Sequence, residues 1–214
     1  MSINLAACSF ADIEREYMRR VYEENRLWQT TYWRGWRCQK MPQDLWQLAD
    51  VITEVGPDVI IETGTADGGS SFFMADVCEL LGHGEVHSID IKASTSTLKH
   101  PRLEHWVGSS IDDGIVESIR KHTEGKSVLV NLDSAHDKAH VLREMELYGP
   151  MVSINSFMVV EDTNLNGHPV RCDYGPGPWE AVEAFLYTHP EFRPDERRER
   201  YGTFSPGGWL RKTQ

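Results

Sequence analysis

The chain predicts an α/β protein: a doubly wound, mainly parallel sheet preceded by an N-terminal helical cap. Three observations predict it. From residue 57 onward short apolar runs alternate with helical segments, a glycine-rich loop joins the first run to the first of those helices, and acids stand at the ends of several runs. Such alternation calls for parallel strands with right-handed crossovers, and ligands of these sheets bind beyond the carboxyl ends of the strands. The 214 residues suffice for one compact unit, with a cap over residues 1–56 and a ligand-binding domain over 57–214.

In the cap, residues 11–30 place Ile13, Tyr17, Val21 and Leu27 at near-helical spacing, which predicts a helix. The aromatic stretch Tyr32-Trp33-Arg34-Gly35-Trp36 reads as irregular, and Pro42 starts a second helix that runs to about Val55. In the domain, strands are expected at 59–62, 86–91, 103–107, 127–132 and 152–160, with helices at 69–81, 111–122, 137–148 and 179–187. Two further strands, around 198–202 and 208–212, are expected to close the sheet.

Composition narrows the function. With 22 basic and 33 acidic residues the formal net charge is -11, which argues against a nucleic-acid partner. The run Arg193–Arg200 mixes both signs and reads as a solvated face. Cys8, Cys38, Cys78 and Cys172 show no CxxC pair and no zinc spacing, as expected of thiols in a reducing compartment. The first 20 residues resemble neither a signal peptide nor a membrane span, so a cytoplasmic protein is expected. The aromatic N-terminal segment suits packing on a second copy, in a homodimer, as well as on its own domain.

The sharpest motif is Glu62-Thr63-Gly64-Thr65-Ala66-Asp67-Gly68-Gly69-Ser70, between a buried strand and a helix. Gly64 permits a tight turn, Gly68 and Gly69 let a ligand approach the helix N-terminus, and Ser70 adds a hydroxyl. The spacing is not GxGxxG, and a glycine turn without ligand is the alternative. Asp90 ends the second strand, where an acid can accept both hydroxyls of a ribose. Gly108-Ser109-Ser110 follows the third strand at the same edge and offers small polar groups to an adenine. Three loops therefore converge on one nucleoside pocket.

Asp133 ends the fourth strand, and Glu161 and Asp162 end the fifth. With neighbouring strands about 4.8 Å apart, these acids meet at one edge, where their repulsion calls for a hard divalent cation such as Mg²⁺. Solvated acids at strand ends are the alternative. His136, three residues after Asp133, is placed to take a proton from an acceptor hydroxyl acidified by the cation. His140 reads as structural, and His168 as either a pocket residue or a plain loop histidine. Among the tryptophans, Trp33 and Trp36 are the candidate substrate contacts, while Trp46, Trp179 and Trp209 read as packing.

These segments resemble a known family. PDVIIETGTADGGSSFFMAD, VHSIDI, HPRLEHWVGSSIDD, VNLDSAHDKAHVLREMELYGPMVS and VVEDTNLNGHPV are similar to the cephalosporin hydroxylase/rhamnosyl O-methyltransferase family, over about residues 33–212. The resemblance implies a Rossmann-like class I methyltransferase fold, S-adenosylmethionine and Mg²⁺ as cofactors, and an O-methyltransferase activity. By the same resemblance Asp133, Glu161 and Asp162 match the metal acids, and Glu62, Gly64, Gly68, Ser70, Asp90 and Ser110 match cofactor positions; Thr65 and Asp133 are expected beside that cofactor. The layout also resembles catechol O-methyltransferase more distantly, with His136 where that enzyme has a lysine. The implied acceptor is a hydroxyl of a sugar or oligosaccharide in polysaccharide biosynthesis, such as the 1-hydroxyl of a methylmannose oligosaccharide. The alternatives are a small antibiotic or catechol-like acceptor, an iron-dependent hydroxylase, which needs two histidines and one carboxylate, and a non-catalytic adenosyl-binding module.

Overall fold

The structure is a computed structural model that describes residues 8–92 and 99–214. The reading of the extreme N-terminus as free of a leader touches residues 1–7, which lie outside the described residues. In chain order the elements are α1 (Phe10–Arg19), a hairpin of β1 (Tyr32–Trp33) and β2 (Trp36–Arg37), α2 (Pro42–Val55), β3 (Val59–Thr63), α3 (Gly69–Leu81), β4 (Glu85–Asp90) and β5 (Leu103–Val107). They continue with α4 (Asp113–Thr123), β6 (Val128–Leu132), α5 (Lys138–Tyr148), β7 (Phe157–Val160), α6 (Pro178–Thr188), β8 (Phe192–Pro194) and β9 (Trp209–Lys212).

The main sheet has the order β5-β4-β3-β6-β7-β9-β8. β3 pairs in parallel with β4 on one side and β6 on the other, and β9 runs antiparallel to both neighbours. The chain thus reverses direction across the sheet between β3 and β6, and the crevice beyond their carboxyl ends is where a ligand belongs. Alternate side chains of the strands feed two cores. Val59, Ile61, Val128 and Val130 pack with Ile119 of α4, Met145 of α5 and Phe185 of α6. Ile60, Leu129 and Val159 pack on the other face with Leu48, Val51 and Ile52 of α2 and Met74 and Cys78 of α3. Strands covered on both faces must be apolar throughout, as VIIET and VLVNL nearly are.

Several expectations change; the stretch Tyr32–Trp36, read as irregular, forms the β1–β2 hairpin, with Trp33 paired to Trp36. The predicted helix over 11–30 is α-helical only to Arg19, then forms a π turn at Arg20–Glu24 and a 3-10 turn at Leu27–Thr30. Arg26 between them has φ 46°, and this left-handed residue turns the chain back. Met18 and Val21 face inward onto Met41 and Phe204, whereas Ile13, Tyr17 and Leu27 are exposed. The fifth strand starts at Phe157 rather than Val152, because Ser153 is spent bonding β6: its amide donates to the Val128 carbonyl and its hydroxyl accepts from the Val128 amide.

The strand expected at 198–202 is instead a 3-10 turn, Glu196–Glu199, capped by Asp195, whose carboxylate accepts from the Arg197 amide; the edge strand is Phe192–Pro194. The charge run there is not wholly a solvated face. Arg198 is buried and pairs with Asp50 and Glu54 of α2, clamping that helix to the C-terminal segment. The other expected elements fall within about two residues of their observed limits, and side chains explain the shifts. Asp112 caps α4 by accepting from the Gly114 and Ile115 amides, and Asp137 caps α5 by accepting from the His140 amide.

Gly64 carries the tightest constraint at the site. Its φ is +87°, and a Cβ there would lie 1.8 Å from the Asp133 carbonyl oxygen. Gly64→Ala is therefore expected to lower unfolding free energy by about 3 kcal/mol or more, a strained φ and a backbone clash together. Urea unfolding measures it.

Candidate active site

Two adjoining cavities open beyond the carboxyl ends of β3, β4 and β6. One, of about 250 Å³, is lined by Tyr22, Trp28, Gly64, Thr65, Ser70, Asp133, His136, Asp162 and Phe204 among others. The other, of about 330 Å³, is lined by Gly64, Ala66, Asp90, Gly108, Ser110, Asp133 and His140 among others. Gly64, Ala66, Asp133 and Ser134 belong to both, so one elongated ligand can cross from one to the other.

The glycine loop is braced from beneath. Glu62 is fully buried, and its carboxylate accepts from Ser70 Oγ (2.5 Å), Ser71 Oγ (2.5 Å) and Ser88 Oγ (2.6 Å). Burial raises its pKa, opposed by the Lys40 charge and those hydroxyls. Glu62 and Ser70, expected to touch a cofactor, thus spend these groups on each other. Thr65 is hydrogen bonded to Ser88 at 2.6 Å, and Gly68, with φ +82°, forms the N-cap of α3.

Asp90 accepts from the amides of Ala66 and Lys92, both at 2.9 Å. A carboxylate has about four acceptor positions, so Asp90 is held in place with capacity left for a diol. Ser110 is buried and lies 3.2 Å from His140 Nε2. His140, read from sequence as structural, stands in this second cavity.

At the other cavity β6 and β7 run parallel, with Leu132 beside Val160, so Asp133 and Glu161 emerge side by side. Asp162 follows with φ 55°, a left-handed conformation costly for a non-glycine residue and typical of functional sites. His136 Nε2 lies 3.3 Å from Asp133 Oδ1 and 3.2 Å from Asp162 Oδ2. Donor atoms of Asp133, His136 and Asp162 all lie within 4.8 Å of one another. Glu161 turns aside, accepting from Asn131 Nδ2 at 2.7 Å and from Lys40 Nζ at 2.5 Å.

Lys40 also donates to Asp133 Oδ2 at 2.6 Å, and its side chain is only 1% exposed. One ammonium is thus shared by two carboxylates, and the effect on each differs. Burial opposes ionisation of Asp133, but Lys40 and His136 hold its pKa below the usual value. Burial and the Asp133 charge push Glu161 up to about 8 despite Lys40. For His136, burial lowers the pKa, but Asp162, Asp133 and Glu161 outweigh it and hold it at about 9. Without a cation the two aspartates are balanced by Lys40 and the His136 imidazolium, and the oxygen donors beside one imidazole are of the kind that suit a hard divalent cation. The cluster contains one imidazole, whereas the iron triad of oxygenases needs two.

Lys40 was not foreseen from sequence: nothing local marks it, and only the need of clustered acids for a cation hints at it. Tyr22, Trp28 and Phe204 were missed too, being brought in from the N-terminal turns and the C-terminal loop. The tryptophans singled out lie elsewhere. Trp33 Nε1 donates to Asp76 at 2.7 Å and its ring packs edge-on against Phe73, and neither Trp33 nor Trp36 lines these cavities. His168 stacks on Trp179, with centroids 4.3 Å apart, near Glu180.

Comparisons with known proteins bear on the family and the fold. The family model described as rhamnosyl O-methyltransferase/CmcI matches residues 25–213. A rhamnosyl O-methyltransferase of Mycobacterium leprae is 36% identical over 206 residues, covering 92% of this chain and 90% of its own. One of Mycobacterium tuberculosis is 34% identical over 209 residues, covering 94% and 85%. Among solved structures, CmcI with Mg and SAM superposes with a TM-score of 0.69 at 19% identity, covering 87% of this chain and 78% of that one. The MycE methyltransferase of mycinamycin biosynthesis, with Mg and SAH, gives 0.53 at 17% identity, covering 81% and 49%. These neighbours share the class I methyltransferase fold. No described helix is long and apolar enough to cross a membrane. With a family model spanning most of its length and curated relatives above 30% identity over nine-tenths of it, the chain belongs to the rhamnosyl O-methyltransferase/CmcI family.

Proposed function

We propose that this S-adenosylmethionine-dependent O-methyltransferase methylates a hydroxyl of a sugar with the help of a divalent cation such as Mg²⁺. The observation that carries the reading is the shared wall: Asp133 and Gly64 line both the cavity of Asp90 and the cavity of His136 and Asp162. A nucleoside-binding acid and a proton-accepting cluster therefore adjoin across one short boundary. The relatives named above as rhamnosyl O-methyltransferases support a sugar acceptor.

S-adenosylmethionine, when bound, supplies an electrophilic methyl group. Asp90 would offer its free acceptor positions to the ribose, Ser110 and His140 would lie toward the base, and the glycine loop would take the methionine end. A divalent cation held by Asp133 and Asp162, with Glu161 joining them only on release from Lys40, would supply positive charge that favours an ionised acceptor hydroxyl. His136 Nε2, between two carboxylates, takes the acceptor's proton and holds it as an imidazolium stabilised by Asp133 and Asp162. The adjoining cavities would bring donor and acceptor together, so that orientation would contribute much of the rate.

Asp90→Ala is expected to weaken S-adenosylhomocysteine binding tenfold or more, since a charged acceptor and the anchor of the Ala66 amide are lost together. Calorimetry measures it. The acceptor is tested by transfer of labelled methyl groups to rhamnosides, to mannose oligosaccharides with a free or methylated 1-hydroxyl, and to catechols. Turnover on a sugar is expected, and turnover confined to catechols would overturn the reading.

A further inference from the structure

The cavity of the acid cluster has a second wall of opposite character. Asp133, His136 and Asp162 line the cavity together with Tyr22, Trp28 and Phe204. Tyr22 stacks on Trp28 with centroids 5.7 Å apart and planes at 24°, and meets Phe204 edge-on at 5.2 Å and 70°. These rings come from three separate turns. Arg26, in the left-handed region, folds the Trp28 turn back toward Tyr22. Phe204 is fixed through its main chain: its amide donates to Asp44 Oδ2 at 3.0 Å and its carbonyl accepts from the Asn164 amide at 3.1 Å. Asn164 lies two residues beyond Asp162, so the aromatic wall is tied by its backbone to the charged one.

An ordinary core cluster would close on itself, yet this one borders open space and leaves a polar group unmatched. Trp28 Nε1 is buried without a hydrogen-bond partner, and an unsatisfied buried donor is costly. We infer that Tyr22, Trp28 and Phe204 form the acceptor platform, against which a pyranose lays its apolar C–H face while its hydroxyl edge meets Asp162 and His136. Aromatic rings give a large, rigid apolar surface with polar groups at the rim, matching a ring that is apolar on one face and polar at its edge. This rests on the sugar reading above and adds the residues that select the ring.

The test uses the full chain with S-adenosylmethionine, Mg²⁺ and methyl α-L-rhamnopyranoside. Tyr22→Leu and Trp28→Leu are expected to raise KM for the rhamnoside tenfold or more, with S-adenosylhomocysteine affinity unchanged in both. Trp46→Leu, at a residue 73% exposed and outside both cavities, serves as the control with unaltered KM. Because leucine variants can lose the fold, the parent protein is also examined by NMR for Overhauser contacts between the sugar C–H face and aromatic side chains. Rhamnoside methylation with unchanged KM in both leucine variants, or without aromatic contacts in the parent, would overturn the platform and leave the sugar reading standing. Failure of the parent to methylate or bind any pyranose would overturn both.

Discussion

Lys40→Met is expected to cost the metal-free protein about 3–5 kcal/mol of unfolding free energy at neutral pH, the usual penalty for stripping one partner from a buried ion pair. The Lys40 ammonium is the close cation for both Asp133 and Glu161. Without it Glu161 keeps Asn131, and Asp133 keeps His136. The loss depends on pH with a definite sign. Glu161 titrates near 8 in the folded protein against an ordinary value of 4.5, raised by burial and by Asp133. A raised acid contributes stability that is fully present below its unfolded pKa and is lost as pH rises through the folded one. Removing Lys40 raises the folded value further and returns Asp133 upward as well. The deficit should therefore be small near pH 5 and largest above pH 8, and Mg²⁺ should recover part of it by replacing the lost charge. Urea unfolding at the two pH values, with and without Mg²⁺, gives the answer. An equal deficit at both would assign the role of Lys40 to its apolar stem.

His136→Ala is expected to reduce kcat by about 10²–10⁴-fold, the range for loss of a positioned general base, with S-adenosylhomocysteine affinity little changed. The pH profile is the more telling readout. The carboxylates hold His136 near 9 without a cation, against the opposing effect of burial, so as a base it is mostly protonated at neutrality. A divalent charge nearby destabilises the imidazolium and moves its pKa down. The parent's kcat should thus rise with pH through a step below 9 in the presence of Mg²⁺, and the step should vanish in His136→Ala. A step retained in the variant would belong to another group.

What the sequence made legible is what short-range pattern encodes. The strand–glycine–helix unit from Val59 to Leu81 was readable because an apolar run, a loop needing positive φ and a helix follow one another directly. Asp90, Asp133, Glu161 and Asp162 were readable because parallel topology sends every strand end to one edge. Which acid does what was not. Glu161 is turned away from the Asp133–His136–Asp162 cluster by Lys40, 121 residues earlier in the chain, and no local pattern records a partner at that distance. The aromatic wall escaped for the same reason, and because Arg26 and a π turn break the helical periodicity from which Tyr22 and Trp28 would have been placed. Arg198 looked like surface charge because its partners, Asp50 and Glu54, sit on a helix far away in sequence.

The dependence on a cation is measured most directly by the rate of methyl transfer to a rhamnoside as Mg²⁺ is titrated into EDTA-treated parent and Asp162→Asn proteins, both saturated with S-adenosylmethionine. The parent should be nearly inactive without the cation and recover fully with it. Asp162→Asn should need at least tenfold more Mg²⁺ for half its activity. Full turnover of the parent in EDTA, or an unchanged requirement in Asp162→Asn, would contradict a cation-assisted site at the ends of β6 and β7.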